Sequence, residues 1–223
     1  MIEKNIIQTF VSNNLHPEIK HKIQGLTSKN PGFRYLFFDD DTIISFIEKS
    51  YDSKILSSYK KLNIGAAKAD FFRYLALYNL GGVYCDMDSM IDFPIEEIVA
   101  DDDQALITRE RNVGSFVQWA MFFKSGHRLL ERTINLCIEK IKIGKGALDE
   151  ITGPKVFSQA VRELYGQNAY FENDTALNQV SKDARFFGYD YEGLCIFKHN
   201  ACQFLYYPYT SVIPWKLENK SVC

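Results

Sequence analysis

The sequence predicts a single α/β sandwich, a sheet covered by helices, over residues 1–223. Strand-like and helical segments alternate along the chain, as they do in α/β domains. A chain of 223 residues is long enough for one well-packed domain and short for two. The sequence has no internal repeat and no low-complexity linker, so we expect no domain boundary.

Three strands and three helices are predicted in the first half of the chain. Pro17 marks the start of the first helix, a turn at Asn30-Pro31-Gly32 precedes the second strand, and Gly81-Gly82 ends the third helix. The spacing of the apolar residues predicts the bounds of these strands and helices. They are strands at 5–10, 33–38 and from Gly82 toward Asp88, and helices at 17–29, after Asp41 and at 64–80.

The apolar pattern of the second half of the chain predicts further strands at 105–108 and 116–123 and helices at about 127–142 and 154–165. Glycines at 144 and 146 separate these two helices, and Pro154 opens the second one. Short strands are predicted near 192–197 and 202–207 in an otherwise irregular end. This order of elements continues the α/β pattern of the first half.

Two acidic clusters follow predicted strands. Asp39, Asp40 and Asp41 precede an apolar helical run, so a helix cap explains them better than a metal site does. Asp86 and Asp88 end a short apolar strand, where alternation directs both to one side and Met87 to the other. Two hard oxygen ligands supply half of a Mg²⁺ or Mn²⁺ site and leave the rest to water and phosphate oxygens.

The helix before this strand carries a second charged pair. Asp70 and Arg73 are three residues apart and share a helix face. A surface ion pair is the simple explanation, but their neighbours Phe71, Phe72, Tyr74 and Leu75 are apolar, which predicts a buried helix. A buried arginine needs an anion. Together with the Tyr84 ring and hydroxyl, these residues suit a diphosphate-linked ligand.

The composition limits the classes of partner that we expect this protein to bind. The hydrophobic fraction is 46% and the charged fraction 24%, with a net charge of −2; these are values of an ordinary globular protein and favour neither nucleic acid nor an anionic membrane as a partner. The chain enters a strand-like run at once, with no apolar signal region and no transmembrane segment. We therefore expect a cytoplasmic location.

Residues 64–88 closely resemble the signature of glycosyltransferase family 32, the D-x-D sugar transferases related to yeast initiating mannosyltransferases. The shared order is A-x-x-D-x-x-R-Y-x-x-L-Y-x-x-G-G-x-Y-x-D-x-D, and its spacing is also similar to that in the glucosyltransferase domains of large clostridial toxins. The resemblance implies a GT-A type nucleotide-diphospho-sugar transferase fold, a Rossmann-like α/β/α sandwich. It also implies metal-dependent, retaining transfer of a hexose from a UDP- or GDP-sugar to an acceptor hydroxyl on a glycan, protein or lipid.

The resemblance assigns roles residue by residue. Asp86 and Asp88 would bind Mn²⁺ or Mg²⁺, and both would be catalytic together with Asp70 and Arg73. The residues expected to contact the sugar-nucleotide donor are Gln8, Thr9, Phe10, Asp70, Arg73, Tyr84, Asp86 and Trp215. The sequence departs from the family pattern at Ile7 (often His), Gln118 (often Asn) and Arg128 (often Pro). The C-terminal pattern of relatives is represented by Ser211–Trp215 alone, with His199 further back.

Two other functions remain open from the sequence. An apolar strand ending in D-M-D also occurs in haloacid-dehalogenase phosphatases, with Asp86 as nucleophile and Asp88 as acid/base. That fold has Gly-Thr after the second aspartate, where this chain has Ser89-Met90. A noncatalytic sugar-nucleotide-binding protein is the third possibility, and the C-terminal departure supports it.

Overall fold

A computed structural model describes residues 1–87, 91, 93–110, 113–172, 174–189 and 222–223. The strands in this part are β1 (Asn5–Thr9), β2 (Arg34–Phe38), β3 (Gly82–Cys85), β4 (Ala105–Arg109), β5 (Ala120–Phe123) and β6 (Arg185–Tyr189). The helices are α1 (Pro17–Lys29), α2 (Asp40–Ser50), α3 (Ser53–Lys60), α4 (Gly65–Leu80), α5 (Arg128–Ile143), α6 (Leu148–Ile151), α7 (Pro154–Tyr165) and α8 (Asp174–Val180). A short 3₁₀ helix spans Ile95–Glu97.

The strands form one six-stranded sheet in the order β2-β1-β3-β5-β4-β6. The strands β2, β1 and β3 are parallel to one another, whereas β5 runs antiparallel to both of its neighbours, β3 and β4. The last pair, β4 and β6, is parallel. Five strands therefore point the same way, and their carboxyl ends share one edge of the sheet.

Helices cover both faces of the sheet, because side chains alternate along each strand. Ile7 and Tyr84 point into the larger apolar cluster, which includes side chains of α2, α3, α4, α5 and α7. Ile6 and Val83, their chain neighbours, point to the opposite face, toward α1 and the segment around Ile95. The predicted α/β/α sandwich is confirmed.

Most predicted elements of the first half match the structure closely. Helix α1 has the predicted bounds, and α4 begins one residue later than expected. Asp39 caps α2, since its side chain accepts a hydrogen bond from Thr42 N at 3.0 Å and the Thr42 hydroxyl accepts one from Asp39 N at 2.8 Å. The explanation of the acidic triplet as a helix cap is therefore confirmed.

Other elements of the structure differ from those predicted from the sequence. Helices α3, α6 and α8 and strand β6 were not predicted, and the strand expected at 116–123 is regular only over Ala120–Phe123. Phe116 makes an isolated bridge to Arg109 instead. The strands expected near 192–197 and 202–207 lie outside the described residues, so a single domain over 1–223 stays a prediction.

No helix in the described part of the chain has the length and apolar character needed to cross a bilayer. The cytoplasmic location expected from the sequence stays a prediction.

Candidate active site

The topology marks one crevice at the carboxyl edge of the sheet. From β1 the chain passes to β2 on one side, and after α4 it returns to β3 on the other side of β1. Ligands of open α/β sheets bind outside the carboxyl ends of two strands at which the connections diverge in this way. At this point Thr9 ends β1 and Phe10 follows it, and Asp86 follows β3.

Two glycines bring α4 and β3 together. Gly81 ends α4 with φ +61° and Gly82 begins β3 with φ +110°, which are conformations that favour glycine. A Cβ on Gly82 would lie 2.5 Å from the backbone oxygen of Asn5 in β1. The turn therefore packs directly against β1 and returns the chain so that Asp86 lies beside the α4 residues.

Arg73 lies between two carboxylates, and we call Asp70, Arg73 and Asp86 the ion triad. Arg73 Nη2 is 3.0 Å from Asp70 Oδ1 and 2.8 Å from Asp86 Oδ1. The Arg73 guanidinium also stacks over the Tyr84 ring, 4.8 Å from its centroid, and the Tyr84 hydroxyl donates to Asp86 Oδ1 at 2.8 Å. The structure thus brings together four of the residues singled out in the sequence.

Three further residues form a network around the triad, which we call the Gln118 network. Gln118 Nε2 donates to Asp70 Oδ1 at 3.1 Å, and the Gln118 backbone oxygen accepts from Arg73 Nη1 at 2.9 Å. The Tyr74 hydroxyl lies 3.0 Å from both Gln118 Oε1 and the Thr152 carbonyl oxygen. The Thr152 hydroxyl donates to Asp70 Oδ2 at 3.4 Å.

From the sequence, Gln118 is only a departure from the family pattern, and no polar role is predicted for the Tyr74 side chain. One feature of the sequence could have indicated the polar role of Tyr74. This tyrosine lies next to Arg73 in a helix that is apolar on all sides, and a buried hydroxyl needs a hydrogen-bond partner. Its partners are distant in sequence, at 118 and 152, and no local pattern points to them.

Burial shifts the pKa values at this site. Desolvation is the largest effect on Asp70 and raises its pKa to about 6; nearby Arg73 opposes this increase and Asp86 adds to it. Burial alone would lower the pKa of Arg73, but the charges of Asp86 and Asp70 outweigh it and the pKa is raised. Desolvation raises the pKa of Tyr84 well above its ordinary value. Arg73 is therefore charged and Tyr84 neutral at physiological pH.

The side chain of Asp86, the first aspartate of the D-x-D pair, points in the predicted direction. Asp86 points toward α4 and its side chain is 27% exposed, whereas Met87 points to the other face and packs with Leu15 and Ile19 of the α1 region. The divergent directions of Asp86 and Met87 match the prediction from strand alternation. Asp88 lies outside the described residues.

Asp86 can also accept a metal ion. Its Oδ1 is used by Arg73 and Tyr84, whereas its Oδ2 has no hydrogen-bond or ion-pair partner among the described residues. The ion triad has two carboxylates for one guanidinium, so it carries an excess negative charge. The described residues contain no group of three or more metal-binding side chains, and Asp86 would therefore need ligands from elsewhere.

Comparison with known proteins identifies the segment that contains this site. Residues 17–105 match the family model described as "Glycosyltransferase sugar-binding region containing DXD motif". This segment is a DXD glycosyltransferase region. The family resemblance of residues 64–88 is therefore confirmed.

Relatives of the DXD region carry glycosyltransferase names. An "Initiation-specific alpha-1,6-mannosyltransferase" of Candida albicans is 27% identical over 72% of this chain and 52% of its own length. The Saccharomyces cerevisiae protein of that name is 39% identical over 31% of this chain and 15% of its own length. These alignments thus span about half or less of each relative.

A solved structure confirms the GT-A type of fold. The "PaToxG Glycosyltransferase" superposes with a TM-score of 0.63 over 80% of this chain and 73% of that chain, at 16% identity. At this level of identity the likeness concerns the fold alone.

Three more of the predicted donor residues, Gln8, Thr9 and Phe10, lie at the carboxyl end of β1. The Thr9 hydroxyl donates to the Phe38 carbonyl oxygen at 2.8 Å, and Phe10 packs against the small cluster that contains Met87. Gln8 points to the α1 face, where its side chain donates to the Cys85 carbonyl at 3.3 Å and accepts from the Tyr35 hydroxyl at 3.1 Å. Trp215, Ser211 and His199 lie outside the described residues.

A cavity of about 210 Å³ lies beneath α1 on this second face. Gln8 and Met87 line its inner wall, and Ile19, Lys22 and Leu26 of α1 line the outer one. The cavity therefore borders the β1 and β3 ends of the crevice.

Proposed function

We propose that this protein transfers a hexose from a UDP- or GDP-sugar to an acceptor hydroxyl on a glycan, protein or lipid, with retention of configuration. The observation that carries the proposal is the ion triad at the topological crevice, with an open Asp86 oxygen in a DXD glycosyltransferase region. The names of the relatives make mannose the first donor sugar to test.

Asp86 and Asp88 would hold Mn²⁺ or Mg²⁺, since carboxylate oxygens are the ligands these ions prefer. When bound, the ion neutralises negative charge on the departing diphosphate. The open Asp86 Oδ2 and the excess negative charge of the ion triad support this assignment. Arg73 and the Tyr84 hydroxyl keep Asp86 in one orientation by binding its other oxygen.

Arg73 would bind the donor directly. Two of its nitrogens, Nη1 and Nη2, contact protein oxygens, whereas the buried Nε has no hydrogen-bond partner in the described part of the chain. A buried unpaired donor on a cation calls for an acceptor, such as a sugar or phosphate oxygen of the ligand. With Asp70 as an acceptor for a sugar hydroxyl, Arg73 would fix the position of the donor sugar.

The other residues proposed to contact the donor are assigned from their positions in the chain. Thr9 ends β1 beside the crevice and Phe10 follows it. With Gln8 they would line the nucleotide, and Trp215 would add a contact from the C-terminal part. Tyr84 would support the diphosphate through Asp86, because its hydroxyl already donates to that carboxylate.

The described residues suit a same-face reaction better than a covalent one. Asp70 and Asp86 are both bound to Arg73, which makes them poor nucleophiles. In the same-face reaction the bond from the sugar carbon to the diphosphate oxygen breaks as the acceptor oxygen attacks. The acceptor proton passes to the departing diphosphate oxygen, so atoms and charge balance without an enzyme nucleophile.

A donor panel tests the proposal. The protein is incubated with UDP- and GDP-sugars and Mn²⁺, and the release of free nucleoside diphosphate is measured with and without a chelator. One donor should be turned over, and the Asp88→Ala variant should lose metal-dependent donor binding. Release from no donor would refute the transferase proposal, and donor binding without turnover would indicate a noncatalytic binder. Hydrolysis of an aryl phosphate that is lost in Asp86→Asn would indicate a phosphatase.

A further inference from the structure

Gln118 contacts both α4 members of the ion triad through different groups. Its backbone oxygen accepts from Arg73 Nη1 at 2.9 Å, and its side-chain amide donates to Asp70 Oδ1 at 3.1 Å. Since Arg73 Nη2 is itself 3.0 Å from Asp70 Oδ1, the three residues close a ring of contacts. A shift of the Gln118 segment would therefore move the carboxylate and the guanidinium together.

The outer end of the Gln118 side chain is fixed as well. Its NH₂ group faces a carboxylate, which accepts hydrogen bonds, so its oxygen faces the Tyr74 hydroxyl at 3.0 Å. The same hydroxyl lies 3.0 Å from the Thr152 carbonyl in the turn before α7. Gln118 is 8% exposed and Thr152 is fully buried, so water competes little for these bonds.

We propose that Gln118 is a positioning residue of the transferase site, which holds Asp70 and Arg73 in a single relative orientation and acts on the donor only through them. The proposal rests on the proposed function, because Asp70 and Arg73 are the groups expected to contact the donor sugar. Precise orientation of such groups by a supporting layer of hydrogen bonds is what lets a site favour its transition state.

Tyr74 and Thr152 extend this support to a distant part of the fold. Tyr74 lies on α4 next to Arg73, whereas Thr152 joins α6 to α7. The Thr152 hydroxyl also reaches Asp70 Oδ2, at 3.4 Å. The Asp70 carboxylate is thus held from Arg73, Gln118 and the Thr152 turn, which leaves it little rotational freedom.

Two variants separate positioning from simple filling of the core. Gln118→Met keeps the size of the side chain and removes both of its hydrogen bonds. Gln118→Leu is a second variant that also lacks both side-chain bonds and adds no charge beside Asp70. Gln159→Met is the matched control, because Gln159 is the same residue type in α7 and its side-chain amide donates to Glu163 near the surface.

The first readout is the Asp70 carboxyl itself. Its titration is followed by NMR of aspartate-labelled protein, with the signal assigned by its absence in Asp70→Asn. The hydrogen bond from Gln118 lowers the pKa of Asp70, so both Gln118 variants should raise the observed midpoint, and Gln159→Met should leave it unchanged. An unchanged midpoint in folded Gln118→Met would overturn the proposal, and the same measurement on Gln118→Leu decides it if the Met variant does not fold.

The second readout is turnover of the active sugar nucleotide. In Gln118→Met, kcat should fall about 10- to 100-fold, the range typical of supporting residues, and the acid limb of the pH profile should move to higher pH. A variant with wild-type kcat and an unmoved pH profile would contradict the positioning role. If the wild type turns over no donor, the proposed function fails, whereas the NMR titration still decides whether Gln118 controls Asp70.

Discussion

Replacing Asp70 by asparagine should stabilise the protein at neutral pH. The pKa of Asp70 is raised from 3.8 to about 6 by burial, so the folded state binds a proton more tightly than the unfolded state does. At pH 7 the ionised carboxylate consequently costs about 3 kcal/mol of the free energy of unfolding, at 1.36 kcal/mol for each pKa unit. Asparagine resembles the protonated acid and does not incur this cost.

The neutral side chain also fits the contacts. Its oxygen can replace Oδ1 toward Arg73 and Gln118, and its NH₂ group can face the Thr152 hydroxyl at the Oδ2 position. We expect Asp70→Asn to be more stable than the wild type by about 1–3 kcal/mol at pH 7. Urea unfolding at a series of pH values measures this difference.

The pH dependence has a definite sign. Between about pH 4 and pH 6 the folded state holds more protons at Asp70 than the unfolded state, so wild-type stability should fall relative to the variant as the pH rises. Below about pH 4 the two proteins should converge. Asp101→Asn, at an exposed turn position, is the control and should change stability by less than about 0.5 kcal/mol at every pH. An Asp70→Asn variant that is less stable at pH 7, or that keeps the wild-type pH slope, would refute the reasoning.

Two further pairs of variants test the geometry of the site. Gly82→Ala should destabilise the protein by about 2–5 kcal/mol in urea unfolding, because its new Cβ would meet the backbone of β1 at 2.5 Å and its φ is +110°. Gly25→Ala, where no atom lies within 4 Å of the new Cβ in helix α1, should stabilise it by about 0.5–1 kcal/mol, and equal losses in the two would contradict the close approach. Tyr84→Phe should cost about 1–2 kcal/mol and weaken Mn²⁺ binding in calorimetry, because the hydroxyl holds a carboxylate of the ion triad. Tyr51→Phe removes a bond to a neutral backbone oxygen and should leave Mn²⁺ affinity unchanged, so the same loss of affinity in both would count against the role of the hydroxyl.

The parts of the fold that the sequence predicted well are those determined by local signals. Pro17 and the Asn30 turn bound α1, and the double glycine ends α4. The strand alternation around Tyr84 also gave the direction of Asp86 correctly, because a side chain's face in a strand follows from its position alone.

The missed elements depend on contacts that are distant in sequence. Strand β6 exists because it pairs with β4, some 80 positions earlier in the chain, and its own sequence has no strong strand period. The segment before Ala120 is apolar like a strand, but Gln118 bonds to α4 and the Trp119 carbonyl accepts from Asp86 N at 2.8 Å. The Trp119 bond extends the β3–β5 register by one residue, and beyond it Gln118 contacts α4 beside the ion triad.

The double-glycine turn has a consequence for how the site forms. Because the turn joins α4 directly to β3, all members of the ion triad come from the contiguous segment 70–86. Contacts between residues close in sequence lose little chain entropy on formation and can appear early in folding. The charged centre can therefore assemble as a helix-turn-strand unit before Gln118 and the Thr152 turn join it. Insertions in the more distant connections can then alter the surroundings of the centre and leave its own assembly intact.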